Sequence, residues 1–298
     1  MGSGEGRSVT IRLPAALFLL LVALLGVEGQ AVAGQIPELL GPVKPQIEPP
    51  ARVPFGPGEH LVYNLKLGIF SVGEGHMEVV GLDSVRGELT YHTSLRMHGG
   101  VIGYRVRSDF QSWFKVTDLV SLRFVKNQRE GGYRAYRHYE FINEERRFER
   151  ADNGEGKPMP TDEPLDDVSF LYFARSLPLE VGDEYSFDRY FKETGNPVVI
   201  RVLGIETVDV PAGRFETIVV QPIIQTKGMF ADGGEAKLYF SNDERRLLVQ
   251  MKSSVPLVGS MTLQLKEVTE GRPLRPTVGT SDGDGPLPDG SDPLGRRP

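Results

Sequence analysis

The stretch Leu165–Gly182, LDDVSFLYFARSLPLEVG, constrains the fold of this chain more than any other. Asp166 or Asp167 can cap a first helical turn, and Pro178 with Gly182 ends the run, so the spacing predicts a short helix over 166–177. Its apolar residues, Val168, Phe170, Leu171, Tyr172, Phe173 and Leu177, fall nearly all the way round. A helix that is apolar on every side has to be enclosed. The chain on either side alternates with the period of a β-strand, so the expected enclosure is a curved sheet made from both halves.

Before the helix, Leu61, Tyr63, Leu65 and Leu67 share one strand face, and Ile69–Val80 continues with Gly73 and Gly75 suggesting a bend. Leu89–Met97 and Arg105–Phe114 alternate in the same way, with Gly99-Gly100 expected to turn the chain between them. Leu119–Gln128, a Gly131-Gly132 hairpin, Tyr133–Ile142 and Arg146–Arg150 complete this block, and Ala151–Pro164 reads as a polar loop. Alternation resumes after the helix in Asp183–Lys192, Val198–Val208, Arg214–Lys227, Glu235–Ser241, Arg245–Val255 and Gly259–Val268, with Pro211-Ala212-Gly213 as a tight hairpin. Few of these strands are apolar on both faces, which disfavours a doubly covered parallel sheet. The reading is a mostly all-β domain of about twelve strands. It forms a large curved antiparallel sheet, a partly open barrel or two facing sheets around one buried short helix.

The domain is expected to span 55–269. Met1–Ala33 has the form of a signal peptide: Arg7 and Arg12, the apolar run Leu13–Val27, and Ala31-Val32-Ala33 as the cleavage motif. That run is shorter than a bilayer span. Export to the periplasm or cell envelope is therefore expected, with cleavage near Ala33 and no membrane span in the mature chain. Gly34–Pro54 reads as a Pro-rich linker and Glu270–Pro298 as a disordered tail. The chain has no cysteine, which excludes thiolate metal sites, disulfides and Cys nucleophiles. A net charge of −6 argues against nucleic acid as a partner.

Four segments, in order, carry a resemblance: GEHLVYNLK at 58–66, DVSFLYFARSLPLEVGD at 167–183, VPAGRFET at 210–217 and LYFSNDERRLLV at 238–249. Together they resemble the DUF3108 family of exported bacterial proteins. The resemblance implies one envelope domain and supplies no catalytic residues.

The favoured function is non-catalytic binding of a lipid or other hydrophobic or amphiphilic molecule, or of an envelope protein. Phe170, Leu171, Tyr172, Phe173, Tyr63 and Phe110 would line the hollow, with no cofactor and no metal. The alternatives are an assembly protein acting through exposed sheet edges, or a hydrolase on envelope glycans or lipids using Asp109, Asp166 or Asp167. No H-E-x-x-H motif is present, no G-x-S-x-G string stands between a strand and a helix as a nucleophile elbow requires, and capping explains the paired aspartates. His76 with Glu78, and His138 with Glu140, stand two apart on one strand face, a spacing that could hold a metal or a base pair but is the ordinary pattern of a solvated strand face. Arg123–Arg150 is a basic patch partly neutralised by Glu130, Glu140, Glu144, Glu145 and Glu149, able to face anionic head groups or to pair across strands. Trp113 can stack on a sugar or pack locally, and Asp282-Gly283-Asp284-Gly285 lacks the remaining calcium-loop ligands.

Overall fold

Short turns oblige each strand to pair with its neighbour in sequence, and the chain follows this rule throughout. The computed structural model describes residues 53–224, 236–255, 259–272 and 274. The leader, nearly all of the linker and 275–298 lie outside the described residues, as does the Asp282–Gly285 motif. Eight strands precede the helix: β1 (His60–Leu67), β2 (Phe70–Val85), β3 (Glu88–Val101), β4 (Tyr104–Lys115), β5 (Ser121–Glu130), β6 (Tyr133–Ile142), β7 (Arg147–Arg150) and β8 (Gly156–Pro158). After α1 (Ser169–Ser176) come β9 (Glu184–Phe187), β10 (Val198–Val210), β11 (Gly213–Ile223), β12 (Lys237–Ser241), β13 (Leu248–Val255) and β14 (Gly259–Thr269).

All fourteen belong to one antiparallel sheet in the order β8-β7-β6-β5-β4-β3-β2-β1-β14-β13-β12-β11-β10-β9. The two halves are joined where the first strand pairs with the last, from His60 opposite Thr269 to Leu67 opposite Met261. The sheet does not close into a barrel. Its edges are β8 and β9, and α1 is the connection between them. Leu165 forms a parallel bridge with Tyr190, so the approach to the helix is tied to the segment after β9.

Every residue of α1 is buried, in agreement with the all-round apolar pattern. One core cluster contains α1 together with inward residues of both halves, among them Tyr63, Met77, Tyr91, Phe110, Ile200, Val220, Leu238 and Leu265. Phe55, just ahead of β1, is part of it, with its ring 4.8 Å from Tyr172 and 5.4 Å from Tyr91.

Two local expectations are corrected. The loop 151–164 contains the three-residue edge strand β8, which makes backbone pairs with β7 and buries no side chain, so it leaves no apolar signature. Gly99 and Gly100 do not turn the chain; β3 runs through them to Val101, and Ile102-Gly103 is the turn. Their role is close approach. Gly99 stands opposite Gly73, and a Cβ at Gly99 would lie 2.3 Å from the carbonyl oxygen of Val72. Gly99→Ala should therefore cost about 1–3 kcal/mol in thermal or urea unfolding. Gly81→Ala, where a Cβ meets nothing within 4 Å, should cost much less.

Candidate functional site

The six residues expected to line the hollow, Tyr63, Phe110, Phe170, Leu171, Tyr172 and Phe173, are all inside, each at most 2% exposed. They touch other rings: Phe114 lies 5.5 Å from Tyr172, and Phe187 is edge-on to Phe173 at 5.0 Å. Polar networks missed by sequence reasoning lie among them. Arg175, on α1, forms a two-point ion pair with Glu59 (Nη1–Oε1 2.6 Å, Nη2–Oε2 2.8 Å) and donates from Nε to the carbonyl of Arg246. An arginine inside an apolar helix signals that a carboxylate must be near, but that carboxylate is 116 residues away in sequence.

Asp166 holds the turn that leads into α1. Its Oδ1 accepts from the backbone N–H of Val168 and Ser169, and its Oδ2 from the Ser112 and Ser121 hydroxyls. Asp167 faces a different group, accepting from Lys126 Nζ at 3.0 Å and Tyr190 Oη at 2.6 Å. Burial pushes the Lys126 ammonium below its ordinary range, against the attraction of Asp167. Further along the inward face of β5, Glu130 accepts from Ser108 through Oε1, while its buried Oε2 has no partner. Burial raises its pKa. Asp109 lies on the opposite face of β4 from Ser112, so the three aspartates do not converge on a common cleft.

A different grouping appears on the outer face. The turns β1–β2, β3–β4 and β5–β6 all lie at one end of the sheet. Ile69 and Phe70 of the first and Ile102 of the second are exposed, Ile102 completely. One step in from these tips, Arg107, Arg129 and Arg134 stand directly opposite one another on β4, β5 and β6. Like charges in register repel. All three are exposed, and among the described residues no acidic side chain pairs with them. Elsewhere in and beside the basic patch acids are in place: Arg123 and Arg86 bind Glu140, which also holds His138, and Arg146 binds Asp162.

Trp113 packs locally. His92 stacks on it at 4.3 Å, Arg123 lies over it, and its Nε1 donates to Asp83. Of the sequence-paired groups, Glu78 binds Arg96, whereas His76 binds Glu74. A polar cleft of about 330 Å³ opens on the face of β13 and β14 away from Met251 and Leu263. Lys66, Glu206, Asp209, Lys252 and the buried Gln250 are among its lining residues.

Among the described residues no helix is long and apolar enough to cross a membrane. No curated protein matches the sequence. Solved structures similar in shape include the following three. The β-barrel-like protein of domain of unknown function DUF1849 from Brucella abortus has 9% identity and a TM-score of 0.47, over 73% of this chain and 99% of that one. A protein described as a lipoprotein from Parabacteroides distasonis has 12% identity and a TM-score of 0.34, over 73% and 99%. One described as exported, with a YmcC-like fold, from Bacteroides fragilis has 12% identity and a TM-score of 0.30, over 74% and 99%. In sequence, the profile of DUF3108, a family described as protein of unknown function, matches residues 62–266, nearly the whole sheet. The chain belongs to the DUF3108 family.

Proposed function

We propose that this is an exported, non-catalytic envelope protein that binds anionic amphiphiles, with the hairpin-tip end of the sheet as the contact surface. The observation that carries the reading is the row Arg107–Arg129–Arg134, unpaired and in register, beside the apolar tips Ile69, Phe70 and Ile102. Such a row is costly to maintain unless an anion offsets it. Apolar side chains one step further out suit a head group attached to hydrocarbon better than a free polyanion. In this reading the interior residues Tyr63, Phe110 and Phe170–Phe173 form the apolar wall of the hollow. An acyl chain that reaches them has to displace ring contacts already made.

Each arginine near an anionic surface is worth about 1 kcal/mol. Replacing all three by glutamine should therefore weaken binding by about 3 kcal/mol, roughly a hundredfold. Co-sedimentation with phosphatidylglycerol vesicles reads this directly. The expected result is binding to those vesicles, little to phosphatidylcholine, and loss in the triple variant with its melting temperature kept. Equal binding to both vesicle types, or to neither, would overturn the proposal.

A further inference from the structure

Three of the five histidines in the chain meet on the outer face of β1–β3, although 38 positions separate the first from the last. Glu74 and His98 are directly opposite in the β2–β3 register, and His76 is the next residue along that face of β2. One ligand atom from each of Glu74, His76 and His98 lies within 4.8 Å of the others. His76 Nε2 is 3.0 Å from Glu74 Oε1. Two ligands of one tetrahedral zinc ion stand roughly 3.3 Å apart, so this pair is already at ligand spacing. His98 is exposed, with its ring stacked on that of His76 at 5.7 Å, and closes the remaining distance by turning out of that stack.

We infer that Glu74, His76 and His98 form a binding site for a divalent late transition metal of the zinc class. Two imidazoles and one carboxylate suit zinc, copper or nickel, whereas magnesium and calcium take oxygen ligands. The surroundings supply what a metal-bound histidine needs. His60 Nε2 lies 3.1 Å from His76 Nδ1, on the side away from Glu74, so a proton on Nδ1 can be donated to His60 while the Nε2 lone pair faces the ion. Lys266 holds the other oxygen of Glu74 at 3.1 Å and orients the carboxylate. With the ring proton on Nδ1, Nε2 would bind the ion through its lone pair, and a fourth position would stay open for water. Arg107, opposite His98, and Arg96, opposite His76, are repulsive neighbours that hold the affinity below that of a closed structural site.

The test uses the full exported chain, free of any purification tag. Zinc titration by calorimetry, with cobalt as a spectroscopic probe, should give one saturable site and a tetrahedral cobalt spectrum. His76→Ala and His98→Ala should each abolish the spectrum. His60→Ala should weaken zinc by ten- to a hundredfold through loss of the supporting bond. His138→Ala, in the separate Arg86–Arg123–Glu140 network, should change neither. All four side chains are at least partly exposed, so melting temperatures should change little. No saturable binding, or equal binding in the His76 and His98 variants, would overturn the inference.

Discussion

Arg175→Met should remove about 3–5 kcal/mol of folding stability, because it leaves a buried carboxylate without its cation. Arg175 is 1% exposed and Glu59 is 3% exposed, so neither can be reached by water without local opening. The guanidinium makes two bonds to Glu59 and others to the carbonyls of Arg245 and Arg246, and it lies over the rings of Phe55 and Tyr172. One side chain of α1 thus joins the start of β1 to the turn between β12 and β13. The pair itself contributes much less than its rupture costs, since desolvating both ions offsets most of their attraction. Arg175→Met combined with Glu59→Gln should therefore recover a large part of the loss. Urea unfolding at neutral pH measures both. A loss under about 1 kcal/mol in the single variant would show that Glu59 finds water or another partner.

Asp166→Ala should cost about 2–4 kcal/mol, because it strips a helix-leading turn of its acceptor and leaves the buried Ser112 hydroxyl without one, while the Ser121 hydroxyl keeps only Ser169 Oγ, 2.8 Å away. Four donors favour the ionised carboxylate, yet complete burial outweighs them and raises its pKa to about 6. The folded chain therefore keeps a proton that the unfolded chain has released between about pH 4 and pH 6. The Asp166 contribution to stability falls as pH rises through that window and is constant above it. Asp166→Asn keeps the size and an acceptor for the two backbone N–H groups, and it cannot ionise. The difference in unfolding free energy between wild type and Asp166→Asn should thus shift against wild type from pH 4 to 6. Taking the difference removes the background from Glu130, whose pKa is also raised, and from paired acids such as Asp152, held at about 2. A difference that does not change with pH would mean that Asp166 titrates normally in the fold.

The sheet and its enclosed helix were legible because both write a period into the sequence. Leu61, Tyr63 and Leu65 alternate, and Phe170–Phe173 leave no polar face. Asp166 was readable as a helix-leading residue because its bonds to the Val168 and Ser169 N–H groups are local, although α1 begins at Ser169 rather than at 166 and its cap position, Val168, makes no side-chain bond. What was not legible depends on register. Nothing in the spacing of Arg107, Arg129 and Arg134 shows that they are opposite one another, since a shift of one residue would send one of them inward. Likewise the partner of His76 is Glu74, with His98 arriving from the next strand, rather than the Glu78 that spacing alone suggested. Gly99 and Gly100 carry the composition of a turn, and only the facing Gly73 shows that they serve close packing. The Arg175–Glu59 pair needed the long connection between helix and first strand to be closed.

The contact surface can be located directly because the chain has no cysteine, so a single introduced thiol takes a label cleanly. An environment-sensitive fluorophore on Ile102→Cys, at the β3–β4 tip, is compared with the same label on Glu88→Cys, at the opposite end of β3. With phosphatidylglycerol vesicles, the label at 102 should shift to the blue and the label at 88 should not. A shift at 88 alone, or at neither position, would contradict the account.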